Sequence, residues 1–446
     1  MFDFPERDFA MHYHNWGKKY NSDILHASAL GSHVFILNSL EDAEELLERG
    51  ASNYSDRIEL PILKLLGYDT NMAFMHHGTT WRQHRKVAQK NFRLDTMSAH
   101  HPIQSRRIHL MLKGLLDDPD RAFTHHEVLS VSIPLELMYG YDVRSLDDPF
   151  ITQARKAIEL SRNFFNPAPT LINFIPALGK IPPWVPGATT QKVAEQVRKI
   201  VHNMETEPME MVKKAMNDGT ANPSVFSEFL EAKHSRAGLE NEEDIVRQVA
   251  LTIYSGASDT IICALGSLLY LLATRPDIQK KGQEEIDRVV GMDRLPEFSD
   301  RESLPEDDTY KGYYIPKGST IFPNIWAMAR DENLFPEPNE FKPKRFIDEH
   351  GQLIPDSHVL TYGFGRRICI GRYSASSTLW FTIASLLACF DIGKAKDDQG
   401  NDVEISDDFL YDTIVSVKTP FKCAITPPSQ AVRRLVEEAV TAEKLH

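Results

Sequence analysis

Ten consecutive residues, Tyr362-Gly363-Phe364-Gly365-Arg366-Arg367-Ile368-Cys369-Ile370-Gly371, constrain the fold more than any other part of this 446-residue chain. They set one cysteine in a glycine-rich loop beside two arginines. An apolar run, Leu379 to Leu387, follows and reads as a helix. A thiolate at Cys369 would face the positive end of that helix and the arginines, and both favour the charged form. Gly365 and Gly371 have no side chains, so a flat ligand can approach the backbone. Such a loop suits a metal held through one sulfur. A zinc site needs paired Cys or His at short spacing, and no such pair flanks Cys369. The plain alternative is a buried cysteine in a tight turn ahead of a helix.

The rest of the chain reads as mainly α with small β-sheets. Asp23 to Leu37 alternates around Leu30-Gly31-Ser32 as a hairpin does. Ser39 to Gly50 has a cap and a stop for one helix. From Thr79 to Lys280 the pattern is helical, interrupted at Pro176 to Gly187. Tyr310 to Phe322 reads as strand, Val415 to Ile425 as a last hairpin, and Ala431 to Lys444 as a solvated helix or frayed tail. The net charge of −13 argues against a nucleic-acid partner. Four scattered cysteines form no disulfide framework and suit a reducing compartment. No signal peptide or membrane span is visible. The apolar stretches near Ile261 to Ala273 and Thr378 to Phe390 read as buried helices too short to cross a bilayer.

The cysteine loop resembles the haem-binding loop of the cytochrome P-450 family, Phe-x-x-Gly-x-Arg-x-Cys-x-Gly, with Tyr362 in place of Phe. Gly256-Ala257-Ser258-Asp259-Thr260 lies inside a long apolar helix, where a Gly, an acid and a hydroxyl are unfavourable without a reason. Thr260 can turn its hydroxyl to the backbone or a water and open the helix locally. The stretch is similar to the family's Gly-x-Asp-Thr kink, although Ala257 replaces a second Gly. Trp81 and Arg85, four apart on one helix face, match the family's Trp-x-x-x-Arg. Phe341-Lys342-Pro343-Lys344-Arg345-Phe346 resembles the meander ahead of the haem loop. Taken alone, each of these three has an ordinary structural reading: a helix irregularity, a surface Trp/Arg pair, a proline-rich loop.

The resemblance implies a single cytochrome P-450-like domain over residues 1–428, with 429–446 as a C-terminal tail. The cofactor would be haem b, iron protoporphyrin IX, with Cys369 as its axial metal ligand and Tyr362, Gly365 and Gly371 in its loop. Trp81, Arg85 and Arg367 would meet the propionates, and Asp259 and Thr260 would manage protons. The expected reaction inserts one atom of O2 into a hydrophobic small molecule, in secondary metabolism, with electrons from an NADPH-dependent reductase. Arg366, Arg367 and Arg372 would draw that acidic donor. Pro176 to Gly187, with Trp184, would touch a membrane surface. The opening residues resemble the segment after a membrane anchor, and an anchored full-length form would sit on the cytosolic face of the endoplasmic reticulum.

One break interrupts the resemblance. Between Pro305 and Glu306 the family carries a helix with Glu-x-x-Arg and then a strand, roughly 25–30 residues by usual element lengths. Both are expected to be absent here. Glu285-Ile286-Asp287-Arg288 fits the pattern but lies on the preceding helix, so it reads as an exposed i,i+3 ion pair. Arg345 would then be a buried guanidinium without its partners, which is costly. Two alternatives therefore stand beside the monooxygenase: a truncated or inactive member that holds haem poorly, and a haem-thiolate isomerase or dehydratase that does not need Thr260.

Overall fold

Repeated apolar residues at helical spacing produce eleven helices of ten or more residues among those described in the computed structural model, which covers residues 5, 8–29, 32–165, 170–234, 240–301, 319–346, 360–410 and 416–443. They are α1 (Phe9–Tyr20), α2 (Thr79–Phe92), α3 (His101–Asp117), α4 (Ala122–Tyr139), α5 (Pro149–Ser161), α6 (Thr189–Asn217), α7 (Val225–His234), α8 (Glu240–Thr274), α9 (Pro276–Val289), α10 (Arg372–Cys389) and α11 (Gln430–Glu443). Their starts follow local chemistry. At α5, for example, the Asp148 carboxylate accepts the Phe150 N–H at 2.9 Å and Pro149 opens the first turn.

The 35-residue α8 is the axis of the molecule and packs on α2, α4, α6 and α10. The helix extends well beyond the Ile261 to Ala273 stretch read as too short, and an 18-residue window within 242–274 reaches a mean hydropathy of 1.6, enough by length and composition alone to cross a bilayer. It instead carries core side chains such as Tyr254, Leu265 and Leu269, buried against neighbouring helices.

Strands β1 (Ile24–Ala29) and β2 (Ser32–Leu37) form the expected antiparallel pair, with Leu25 opposite Ile36. Strand β3 (Thr320–Pro323) adds to β2 in parallel, with Ile36 opposite Phe322. The rest of the stretch read as strand before Ser319, and the Pro305–Glu306 junction, lie outside the described residues.

The last hairpin differs from expectation. Strand β4 (Asp391–Lys394) pairs with β7 (Cys423–Thr426), and β5 (Phe409–Leu410) with β6 (Val417–Lys418), so Val417 and Ile425 belong to different sheets. Two forces part them. The Lys418 ammonium is fixed by the Asp408 carbonyl at 2.8 Å and by the Tyr270 and Phe409 ring faces at 4.5 and 4.8 Å. Pro420, two residues on, has no N–H to give a ladder.

Ser39 caps a helix as expected, but only Leu40–Ala43 is α-helical; Glu44–Arg49 widens into π-helix before Gly50. The C-terminal stretch expected as a solvated helix or frayed tail is a docked helix. Val432, Val436 and Val440 of α11 are buried, and α11 lies on α3 and α10. The Val–Val spacing of four gives one apolar stripe, which mixed charge on the other faces obscured.

Candidate active site

The cysteine loop is held from behind by the π-helical turn. The Gly365 N–H donates to Glu48 Oε1 at 2.6 Å. Gly365 has φ +54°, and a Cβ there would stand 2.0 Å from the Leu47 carbonyl oxygen, so only glycine fits. Phe364 packs into a small apolar cluster with Leu46 and Met328. The Cys369 N–H closes the loop on the Tyr362 carbonyl at 2.8 Å. Gly371 lies at the first turn of α10, where a side chain would reach the Cys369 sulfur.

The Cys369 side chain is exposed yet closely surrounded by protein, as a group on the wall of a cavity is. Burial pushes its thiol up, and the Gly371 N–H, Arg85 and Arg372 pull it back toward the thiolate. The expected helix-end and arginine effects are therefore present, but in the free protein burial outweighs them. A cationic metal at the sulfur would reverse that balance.

Trp81 is buried, with the Arg367 guanidinium 4.3 Å and the Arg85 guanidinium 6.0 Å from its ring. Arg367 is pushed down to about 10, by burial first and then by the nearby Arg57 and Arg85. Arg57 and Arg85 are also pushed down, each mainly by burial. Three crowded guanidiniums beside an accessible thiol suit a ligand that carries both a metal and carboxylates, as haem does. Arg367 already donates to the carbonyls of Ser55 (2.6 Å) and Met75 (2.8 Å), which fixes its direction.

On α8, Gly256 and Thr260 are exposed although Tyr254 and Ser258 beside them are buried, so one face of the central helix opens to a space. Thr260 Oγ1 donates to the Gly256 carbonyl at 3.0 Å, the backbone diversion expected of it. The expected local opening of the helix does not accompany it; α8 is continuous through these residues. Asp259 is raised by burial, and the opposing charge is Arg162. The segment around Asn71 is pinned to the same helix, with Met72 N–H donating to Thr252 Oγ1 at 3.0 Å and Asn71 Nδ2 to Ser255 Oγ at 3.2 Å. Tyr68, Phe74 and Phe165 form an aromatic group above it.

Several of these residues escaped sequence reasoning: Glu48, Arg57, Arg162 and the aromatic group. His77, 5.1 Å from the Trp81 ring, lies just ahead of α2, so helical spacing carried no signal for it. Arg345 is a correction. It is half-buried and not unpaired: it donates to the carbonyls of Pro336 (2.7 Å), Glu337 (3.0 Å) and Glu340 (2.8 Å) in its own loop. Arg288 and Glu285 form the expected exposed ion pair.

The family profile described as Cytochrome P450 matches residues 2–306 and 303–420, two pieces that meet at the expected break. The chain is 32% identical to cytochrome P450 monooxygenase 98 of Postia placenta, over 98% of this chain and 89% of that protein. It is 32% identical to cytochrome P450 monooxygenase ple1 of Rhodocybe pseudopiperita, over 98% and 88%. It is 29% identical to the tryptamine 4-monooxygenase of Psilocybe cyanescens, over 98% and 92%. The first alignment runs over 468 positions, more than the 446 residues here, so that relative carries residues with no counterpart in this chain. The mainly α fold with small sheets is the one expected of that family. The chain belongs to the cytochrome P450 family, is an enzyme of the P450 monooxygenase type, and shares that family's haem cofactor.

Proposed function

We propose that this chain is a monooxygenase of secondary metabolism that acts on a hydrophobic small molecule, with haem b as cofactor and an NADPH-dependent reductase as electron donor. The observation that carries this reading is the accessible Cys369 sulfur framed by Arg85, Arg372 and the Gly371 N–H. When bound, haem supplies the activation of O2 and the insertion of one oxygen atom into the substrate. The chain's own residues do the rest. Cys369 ligates the iron, and Trp81, Arg85 and Arg367 hold the propionates, with Tyr362, Gly365 and Gly371 shaping the loop. Asp259, pushed up by burial against the pull of Arg162, holds a proton more readily than a free carboxyl. The Thr260 hydroxyl beside it passes or withholds that proton. Tyr68, Phe74 and Phe165 offer the substrate an apolar aromatic wall.

On the cysteine side, a groove of about 430 Å3 is lined by His77, Arg82, Arg85, Lys86, Arg366 and Arg372, with no acid among its lining residues. Its charge suits an acidic reductase surface despite the protein's acidic total. Ile181 and Trp184 stand exposed in the Pro176–Gly187 region, with Leu171 and Ile175 exposed just ahead of it, which suits contact with a bilayer on the cytosolic face of the endoplasmic reticulum. The test is turnover with a fungal reductase, NADPH and 18O2 across a panel of apolar substrates. One 18O atom per product molecule supports the reading, and Thr260→Ala should then uncouple NADPH use from product. Reductase-independent product without label would point to an isomerase or dehydratase. A specific observation favours a second reading, a truncated member that holds haem poorly: the profile match breaks at 303–306.

A further inference from the structure

The antiparallel pairing of β1 with β2 sets His26 opposite Phe35 and Ser28 opposite His33, so the two histidines lie diagonally on one face of the hairpin. Their facing ring nitrogens, His26 Nε2 and His33 Nδ1, are 2.9 Å apart. The two ring planes differ by 6°, and the Phe35 ring backs His26 at 4.5 Å. His26 is exposed and His33 half-buried, so solvent reaches the pair. Because β3 continues the sheet beyond β2, the separation of the rings is set by a three-stranded sheet rather than by a free ribbon.

Two neutral imidazoles at this distance share one proton, one ring donating N–H and the other accepting. The same two nitrogens can instead meet one metal ion, and their spacing selects its geometry. Nitrogens about 2.0–2.1 Å from a common ion stand about 2.8–3.0 Å apart at a right angle and about 3.3–3.4 Å apart at the tetrahedral angle. The 2.9 Å separation is the right-angle value. It suits the square-planar or octahedral ions Cu2+ and Ni2+ better than tetrahedral Zn2+, and imidazole nitrogen does not suit Mg2+ or Ca2+. No cluster of three or more His, Cys, Asp or Glu occurs among the described residues, so water fills the other positions on the ion.

We propose that His26 and His33 form a surface chelate for one divalent transition metal of right-angle geometry, Ni2+ or Cu2+. The shared proton passes through solvent to the far nitrogen of the ring that carried it. Both facing nitrogens then offer lone pairs, and the neutral pair takes up the ion without net loss of protons. The site ties β1 to β2 and uses none of the residues that frame Cys369.

The test is calorimetric titration of the full chain with NiCl2, which leaves the thiols reduced, and with ZnCl2 as the tetrahedral control. The chain has 17 histidines, so single-imidazole binding elsewhere is a background that the variants share. The expected result is one Ni2+ site at least about tenfold tighter than that background, and about tenfold tighter for Ni2+ than for Zn2+. A chelate needs both rings, so His26→Gln, His33→Gln and the double variant should each abolish the tight site to the same extent. Protection of both rings from carbethoxylation by Ni2+ in the unaltered chain, read by peptide mass, gives the same answer if a variant fails to fold. No tight site, a tight site that survives either single substitution, Zn2+ bound as tightly as Ni2+, or rings that stay equally reactive with Ni2+ present would each overturn the proposal.

Discussion

Single residues decide whether the cysteine loop exists. Gly365→Ala would drive a Cβ into the Leu47 carbonyl at a positive φ, and a cost of about 2–4 kcal/mol is expected from strain of that kind. A lowered urea midpoint with reduced haem retention is the outcome to look for. Acid sensitivity also belongs to single residues. His126 is buried with neither ring nitrogen bonded and is pushed down to about 3, and burial pushes His100 down to about 4. Both stay neutral in the fold while their unfolded counterparts protonate below the ordinary 6.5. Stability is therefore complete above that value and lost as the pH falls from there toward about 4. His126→Leu should remove about 2–3 kcal/mol of that loss, read as the change in unfolding free energy between about pH 7.5 and 4.5. Cys369, Gly365 and Arg367 were legible because their chemistry is carried in one short stretch. Glu48, which accepts the Gly365 N–H, was not, because the two are 317 residues apart and nothing local links them.

Elements are positioned by buried polar clamps as much as by apolar faces. Gln104 of α3 is fully buried and donates to Ser377 Oγ at 2.9 Å and Thr378 Oγ1 at 2.8 Å on α10, the helix that follows the cysteine loop. Gln104→Leu would leave Thr378 Oγ1 without this donor, while Ser377 Oγ keeps its bond to the Ser374 carbonyl at 3.0 Å, and should cost about 2 kcal/mol. Comparing its urea midpoint with that of an exposed control such as Gln399→Leu checks this. Helices were legible from periodicity, and the first hairpin from alternation around Leu30-Gly31-Ser32. The pairing of β4 with β7 was not, since it is set by Lys418 under three aromatic rings drawn from α8, β5 and the loop at Phe421. The docking of α11 was hidden for a related reason. Its valine stripe is narrow, and only the neighbouring α3 and α10 show where it goes.

The whole molecule carries three surfaces: a basic groove beside the cysteine loop, the aromatic group of Tyr68, Phe74 and Phe165, and an exposed apolar loop. Trp184, 79% exposed, should anchor that loop. Trp184→Ala is expected to weaken binding to phosphatidylcholine vesicles roughly tenfold, from the apolar area it withdraws; unchanged sedimentation with vesicles would remove the membrane contact from the account. The central claim is that the cysteine site assembles in this chain despite the residues its relatives carry and it lacks. The most direct test is the absorption spectrum of the purified 446-residue protein, expressed with haem supply, reduced and saturated with carbon monoxide. A strongly red-shifted Soret band that Cys369→Ser abolishes is the predicted result. Protein without haem, or a band at the unshifted position of a lost thiolate, would contradict it.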